Sequence, residues 1–429
     1  MANFVLSSEN SYLLPFEEGT WKLTLANLDR HTAHRRPRAN YWYVDCRIIS
    51  YENEILTVGV IVEPDGEEEK VYFKVLPKHL MVSCSVDTTS DYLSYHAYCC
   101  LERMMSYLKF IDFEVYYWPD FFDQDIGRSK YLKISQSKGD LHVSTKVRYK
   151  GFYRPGKQLP EVSPNFTQLR EPICVVHEQV PKENHSVLGF CLADLNNERY
   201  RTNHYPFLIP YIAILNKRKT EVKSFITYVF NDTQLADMDL SDEQQHLVEI
   251  CFAMKKIALV ANWEYGDDDQ MFAEKKQKNE NNFNQLFELW QEALPLLSSR
   301  LYTHYKYTFG MRHVKGKPRK SDMAQCSFSI ETPEICFLWK DLGDYYKLEL
   351  RLLFEGKIQQ VPYYFNSTFF VMLTYQPRKY ALLNAVKDCE LLSYFQQSQY
   401  QVLVLKKHFE GDFKGFVEQL RAAYKFVSK

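Results

Sequence analysis

The 429-residue sequence contains no apolar run of about eighteen residues, the length needed to predict a membrane-spanning helix. It also lacks any Cys-x-x-Cys pair, and among its ten cysteines only Cys99 and Cys100 are close neighbours. Scattered cysteines of this kind are typically buried reduced thiols, and a chain this long does not need a disulfide framework. The first residues, up to Trp21, contain an acidic pair where a signal peptide has positive charge. These features predict a cytoplasmic protein.

The common catalytic signatures are absent as well. There is no GxxxxGK[ST] phosphate loop, no GxGxxG after a strand, no GxSxG elbow and no HExxH helix. The acidic run Asp267, Asp268 and Asp269 has the oxygen ligands that Mg²⁺ prefers, but the polar stretch around it offers no rigid support. We therefore expect no catalytic activity and no cofactor. A divalent-metal nuclease that uses these aspartates is the less favoured alternative.

Positive and negative residues nearly balance, with 53 Lys and Arg against 54 Asp and Glu. A net charge of −1 creates no global field that attracts nucleic acid, so a basic site has to be a local patch. The 31 Tyr and 29 Phe residues favour strands. The composition and patterning predict an α+β fold, a strand-rich multi-domain chain with antiparallel sheets and several packed helices.

Prolines and hydrophobic periodicity suggest the organisation of the chain. Four prolines in the window 154–172 predict a linker. The predicted parts are a strand-rich N-terminal domain (1–160), a middle α/β segment (161–300) and a C-terminal sheet with two closing helices (301–429). Helical spacing of apolar residues predicts five helices: Ser94–Ile111, Ser241–Ala261, Phe283–Ser299, Ala381–Gln396 and Asp412–Val427.

Two details refine the helix predictions. Ser241 is followed three residues later by Gln244, which is the pattern of a capping box at a helix start. The polar stretch GDDDQMFAEKKQKNENN, which precedes Phe283, is interpreted as a solvated loop or a frayed helix.

The stretch VSCSVDTTSDYLSYHAYCC has the spacing of a small zinc finger. A SWIM finger places a Cys-x-Cys hairpin and a Cys-x-His helix start around one zinc ion. Here Cys84 and His96 are present, but Val86 and Ser94 occupy the other two ligand positions. Two ligands do not hold structural zinc, so we expect no metal at this degenerate position. The stretch is either a finger that keeps its fold without metal or an ordinary strand, turn and helix.

Four basic stretches are candidates for phosphate contact. HTAHRRPRANYWY combines arginines with aromatic residues that can stack on bases, and MRHVKGKPRK is a basic loop. STKVRYKGFYRPGK and NKRK are the other two, and single charge runs of this kind are usually solvated faces. The predicted phosphate contacts come from the first two stretches: Arg35, Arg36, Arg38, Arg312, Lys315, Lys317, Arg319 and Lys320.

Most of residues 40–429 resemble the region that precedes the motor in bacterial Swi/Snf-type helicases. The resemblance rests on the SWIM-like element, on HYPFLIPYIAILNKRKTEVKSFITYVFN with the helix after it, and on the C-terminal block that begins SIETPEICFLWKDL. The family's phosphate loop and acidic helicase box are absent, so ATP hydrolysis is not implied. The chain is either a relative without a motor or the front part of a longer protein.

The resemblance implies a non-catalytic, helicase-associated nucleic-acid-binding or accessory module, with DNA as the expected partner. Phosphate contacts position a protein without reading bases, so we expect weak sequence preference. The alternative is a protein-interaction scaffold that docks on a separate helicase motor through exposed aromatic residues. No membrane partner is expected.

Overall fold

The computed structural model describes residues 6–7, 9–35, 43–87, 89–105, 108–137, 140–162, 186–194, 205–258, 269–298, 300, 302–307, 316–361 and 369–427. In these residues there are 21 β-strands and seven α-helices. The strands are β1 (Tyr12–Pro15), β2 (Lys22–Thr24), β3 (Asp45–Glu52), β4 (Ile55–Ile61), β5 (Glu69–Val75), β6 (His79–Cys84), β7 (Phe110–Asp112), β8 (Leu132–Ser137), β9 (Asp140–Thr145), β10 (Ser186–Asp194), β11 (Phe207–Leu215), β12 (Val222–Tyr228), β13 (Thr303–Tyr307), β14 (Ala324–Ser329), β15 (Glu334–Asp341), β16 (Tyr345–Phe354), β17 (Lys357–Gln359), β18 (Phe370–Tyr375), β19 (Arg378–Leu382), β20 (Gln401–Leu405) and β21 (Lys425–Val427). The helices are α1 (Leu25–Arg30), α2 (Tyr95–Met104), α3 (Asp242–Ala258), α4 (Asp269–Ser298), α5 (Val386–Gln396), α6 (Lys406–Phe409) and α7 (Asp412–Ala423).

The chain folds as two compact units. Unit 1 comprises residues 1–159 together with 341–347 and 402–416, and unit 2 comprises 160–340, 348–401 and 417–429. No helix in the described part of the chain is both long and apolar enough to cross a bilayer. The predicted fold class is confirmed, because strands in mostly antiparallel sheets alternate with packed helices.

Unit 1 is built around a five-stranded antiparallel sheet with the order β1-β6-β5-β4-β3. Alternate residues of its strands point into one core, among them Leu56, Val58 and Val60 of β4, which are at most 1% exposed. Helix α2 packs on this sheet and contributes Leu101 to the same core. The β8–β9 hairpin forms a separate two-stranded sheet.

Unit 2 contains a seven-stranded mixed sheet with the order β12-β11-β10-β13-β14-β19-β18. β10 pairs with β13 and β14 pairs with β19 in parallel, while the other register pairs known for this sheet are antiparallel. Helix α3 packs on β11, and α4 packs on β14 and β19. The fully buried Trp290 of α4 contacts the Phe370 ring at 4.7 Å and donates to the Pro206 carbonyl at 2.8 Å. The boundary predicted near residue 300 falls between strands of this one sheet.

A second sheet of unit 2 has the order β17-β16-β15-β21. Its last strand corrects one prediction: the helix predicted over Asp412–Val427 ends at Ala423, and β21 follows, parallel to β15. Short strands of aromatic and β-branched residues, such as Lys425–Val427, cannot be told from a helix end by periodicity alone.

Three other helix boundaries also differ from the predictions. The helix predicted from Ser94 ends at Met104, and β7 follows near the predicted end. The helix predicted from Phe283 begins at Asp269, so most of the polar stretch before it is helical. The helix predicted from Ala381 begins at Val386, after β19. By contrast, the capping box is confirmed: Ser241 N–H donates to Gln244 Oε1 at 3.1 Å, and Gln244 N–H donates to Ser241 Oγ at 3.3 Å.

One tyrosine connects three neighbouring strands of the seven-stranded sheet, β11, β10 and β13. The Tyr211 ring on β11 lies directly over Gly189 on β10, where an added Cβ would overlap its Cζ and Oη atoms. The Tyr211 hydroxyl donates to the Tyr302 carbonyl at 2.8 Å and lies 2.7 Å from His304 Nδ1 on β13. Tyr211 is fully buried, so these hydrogen bonds replace those that its hydroxyl loses to water.

Gly189→Ala is expected to lower the free energy of unfolding by about 2 kcal/mol, because the new methyl group forces the Tyr211 ring out of its place. Urea unfolding of the purified variant measures this change. Gly415→Ala is the matched control, because a Cβ added there meets nothing within 4 Å and Ala is favoured inside a helix such as α7. The control is expected to be as stable as the unsubstituted protein or slightly more stable. Equal stability of the two variants would contradict the packing role of Gly189.

Candidate functional site

A loop with three exposed cations is anchored at the end of β12. The Gly316 carbonyl accepts a hydrogen bond from Tyr228 N–H at 2.9 Å, and Met323 at the other end of the loop packs its sulfur 3.7 Å from the Tyr228 hydroxyl. Pro318 is buried between them. The loop therefore has a fixed inner side, and its outer side presents Lys317, Arg319 and Lys320, all exposed.

A second basic segment lies at the opposite end of β12. The turn that joins β11 to β12 is held by Asn216, whose side chain bonds the Thr220 main-chain N–H and hydroxyl, each at 3.0 Å. The Tyr302 hydroxyl donates to the Lys219 carbonyl at 2.7 Å and fixes the turn to the body of unit 2. Lys217 and Arg218 at the tip of the turn are exposed.

β12 is the edge strand of its sheet, and its alternation exposes one more cation between the two segments. Val222 and Phe225 are buried, while Lys223 is exposed. We define the basic edge as the following exposed side chains along this strand and at its two ends: Lys217, Arg218, Lys223, Lys317, Arg319 and Lys320.

The basic edge has a large local excess of positive charge. The segments 216–223 and 316–323 contain seven Lys or Arg residues against Glu221 and Asp322, a local net charge of +5. Asp322 also lies 4.0 Å from the buried Lys306 ammonium, which offsets its charge. Seven strand residues span about 20 Å, so the cations are spread along a line rather than gathered at one point.

The predicted phosphate contacts do not all lie in one part of the structure. Lys317, Arg319 and Lys320 belong to the basic edge. Arg35 is exposed in unit 1, but its guanidinium donates to the main-chain carbonyls of Thr32 at 2.6 Å, His34 at 2.7 Å and Asp29 at 3.3 Å. The remaining predicted contacts lie outside the described residues: Arg36, Arg38, Arg312 and Lys315.

The stretch STKVRYKGFYRPGK, which is equally basic in sequence, has a structural role in unit 1. Arg154 is 6% exposed; its guanidinium donates to the Glu114 and Tyr117 carbonyls at 2.7 and 2.9 Å and to Glu114 Oε1 at 2.6 Å. It also stacks on the Trp118 ring at 4.4 Å. Lys157 pairs with the same Glu114 carboxylate. Arg154 and Lys157 are therefore bonded to other groups of unit 1.

In the SWIM-like stretch, strand β6 ends at Cys84 and helix α2 begins at Tyr95. Cys84 at the end of β6 is fully buried, and Val86 is 55% exposed. Ser94 caps α2: its hydroxyl accepts from the Ala97 N–H at 3.2 Å. Ser94 therefore stabilises the start of α2 as its N-cap residue.

No metal centre is assembled in the part of the chain that the structure describes, since no three His, Cys, Asp or Glu side chains there are grouped as a metal site requires. Asp267 and Asp268, the first residues of the predicted Mg²⁺-binding run, lie outside that part. Of Asp269 only the backbone is described, at the start of α4.

The comparisons with known proteins do not connect the chain to a family. No family model, no curated protein and no solved structure matches it.

A neutral histidine lies behind the basic edge. Tyr211 donates its one hydroxyl proton to the Tyr302 carbonyl, so His304 Nδ1–H is the donor toward the Tyr211 oxygen. Burial lowers the pKa of His304 from 6.5 to about 4, because the desolvated imidazolium is disfavoured. His304 is 9% exposed, so water screens this effect little.

The lowered pKa of His304 predicts a loss of stability in mild acid. Between pH 6.5 and pH 4 the unfolded chain binds a proton at this residue that the folded chain does not, so stability falls as the pH falls through this range. Between pH 7.5 and pH 5.0, His304 alone is expected to lower the free energy of unfolding by about 2 kcal/mol. His304→Gln, whose amide can still donate to Tyr211, should lack this component in urea unfolding at the two pH values. His142→Gln, at an exposed position, should keep it. The same pH dependence in both variants would contradict the assignment.

Proposed function

We propose that this protein is a non-catalytic accessory module that binds the phosphate backbone of DNA along the basic edge. The observation that supports this most is the arrangement of two separate basic stretches at the two ends of one edge strand, with Lys223 between them. Each stretch taken alone would be an ordinary solvated face. Together they offer a line of six exposed cations on a backbone that hydrogen bonds hold in place.

The dimensions of the basic edge suit a duplex. Its length of about 20 Å corresponds to about six base pairs of B-DNA, because each strand carries one phosphate per about 3.4 Å of helix axis. Lysine and arginine contact phosphate oxygens without regard to the base attached to them. The proposed binding is therefore driven by the release of counterions and has weak sequence preference.

A helicase-associated role would suit such a module, since a partner motor needs to stay bound to the duplex whatever its base sequence. This context comes from the resemblance of the sequence to the region that precedes the motor in Swi/Snf-type helicases. The DNA contact rests on the basic edge and can be tested without any partner.

The test is the salt dependence of binding of a labelled duplex, followed by fluorescence anisotropy. Six phosphate contacts predict a slope of about −5 for the logarithm of the association constant against the logarithm of the salt concentration. Lys317→Gln, Arg319→Gln and Lys320→Gln combined should reduce the magnitude of this slope by about 2.7, because each lost contact releases about 0.9 fewer counterions.

The matched control removes the same charge at exposed positions on other strands, by Lys133→Gln, Lys357→Gln and Lys425→Gln combined. This variant should keep the slope of the unsubstituted protein. Equal slopes for all three proteins would show that the basic edge is a solvated face. No binding at low salt, with a partner protein that survives nuclease digestion in a pull-down, would favour the interaction scaffold instead.

A further inference from the structure

A cavity of about 400 Å³ in unit 1 plays no part in the proposed DNA contact. It lies between strand β3, at Ile49–Glu52, and the hairpin formed by β8 and β9. The volume is within the range of ordinary ligand pockets. Its two sides differ in chemistry, and the difference indicates what would fit between them.

The first side is a strand edge. β3 is the last strand in its sheet, so the outward main-chain groups of Ile49–Glu52 have no neighbouring strand in the described residues. Just before them, the Gln136 side-chain amide donates to the Ile48 carbonyl at 2.8 Å. This is the bond that the N–H of an added strand would make, and it shows that the edge accepts donors from the cavity side.

The second side is an apolar surface. Residues two apart on a strand share a face, and Leu132, Ile134 and Gln136 of β8 all line the cavity. Leu132 is 4% exposed and Ile134 is 36% exposed, so the apolar surface begins in the core and ends in contact with solvent. A ligand with an aliphatic side chain would bury the exposed part of Ile134.

One cation also lines the cavity. The backbone on both sides of Arg128 is fixed: its carbonyl accepts from the Asp123 N–H at 2.9 Å, and the Ser129 hydroxyl accepts from the Leu132 N–H at 3.2 Å. The Arg128 side chain is exposed, and it makes no hydrogen bond or ion pair within the described chain. Glu52, an acidic residue, lines the same cavity.

We propose that this cavity binds the C-terminal residues of a partner polypeptide in an extended conformation. The peptide main chain pairs with β3 as an added strand, an aliphatic side chain packs on Leu132 and Ile134, and the terminal carboxylate meets Arg128. Strand addition provides the main-chain hydrogen bonds, and the guanidinium distinguishes a chain end from an internal segment. The site is on unit 1 and does not depend on the proposed DNA contact.

The probe is a fluorescein-labelled hexapeptide of alternating serine and valine that ends in valine with a free carboxylate. Its binding to the full chain, measured by fluorescence polarisation, is compared with that of the same peptide carrying a C-terminal amide. The free acid should bind about ten-fold more tightly, as expected for a hydrogen bond to a charged group. Arg128→Gln should weaken binding of the free acid by a similar factor and remove the difference between the two peptides.

Two further variants complete the test. Ile134→Asp places a charge on the apolar side of the cavity and should weaken the binding of both peptides. Lys133→Gln alters the residue before Ile134, which points to the other face of β8, and should leave both affinities unchanged. Equal affinity for the acid and the amide, an unaltered Arg128→Gln variant, or the absence of saturable binding up to millimolar peptide would each overturn the proposal.

Discussion

The packing of Tyr211 against Gly189 is the contact on which the arrangement of unit 2 depends. Because Gly189 has no side chain, the Tyr211 ring can lie over β10, and its hydroxyl then reaches the Tyr302 carbonyl and His304, so that three strands are joined in the core of the sheet. Because β12 pairs with β11, the position of the basic edge follows from this buried contact. A surface that binds an extended polyanion needs this rigidity, since mobile cations would lose more conformational entropy on binding.

Burial and hydrogen bonding decide which cations are available to a ligand. Arg154 has the same charge as Arg319, yet its guanidinium is buried against Trp118 and bonded to two carbonyls and a carboxylate. Removing a buried cation of this kind leaves its partners unpaired and costs several kcal/mol, so Arg154 stabilises the fold. Arg319 extends into solvent from a loop whose other side is anchored. Arg154 and Arg319 carry the same charge, but their contacts give them different roles.

Local chemistry in the sequence predicts local structure well here, and it predicts pairing poorly. The capping box at Ser241 is confirmed, because it depends on residues three apart. The strand at Lys425–Val427 was predicted as helix, because its stability comes from β15, far away in the chain. The basic edge shows both effects. Lys317, Arg319 and Lys320 were recognisable as a basic loop, whereas Lys223 is a single lysine in a strand. The pairing of Tyr228 with Gly316 brings these residues to one edge, and no local pattern indicates that pairing.

Lysine acetylation footprinting is the most direct test of DNA contact along the basic edge. The protein is treated with a limiting amount of an acetylating ester, with and without a saturating DNA duplex, and the modified lysines are located by mass spectrometry. Phosphate contact along the basic edge predicts that the duplex protects Lys217, Lys223, Lys317 and Lys320. Lys133, Lys357 and Lys425, which are also exposed, should react equally in both samples. Protection confined to other lysines, or no protection by a duplex that binds, would show that the DNA does not contact the basic edge.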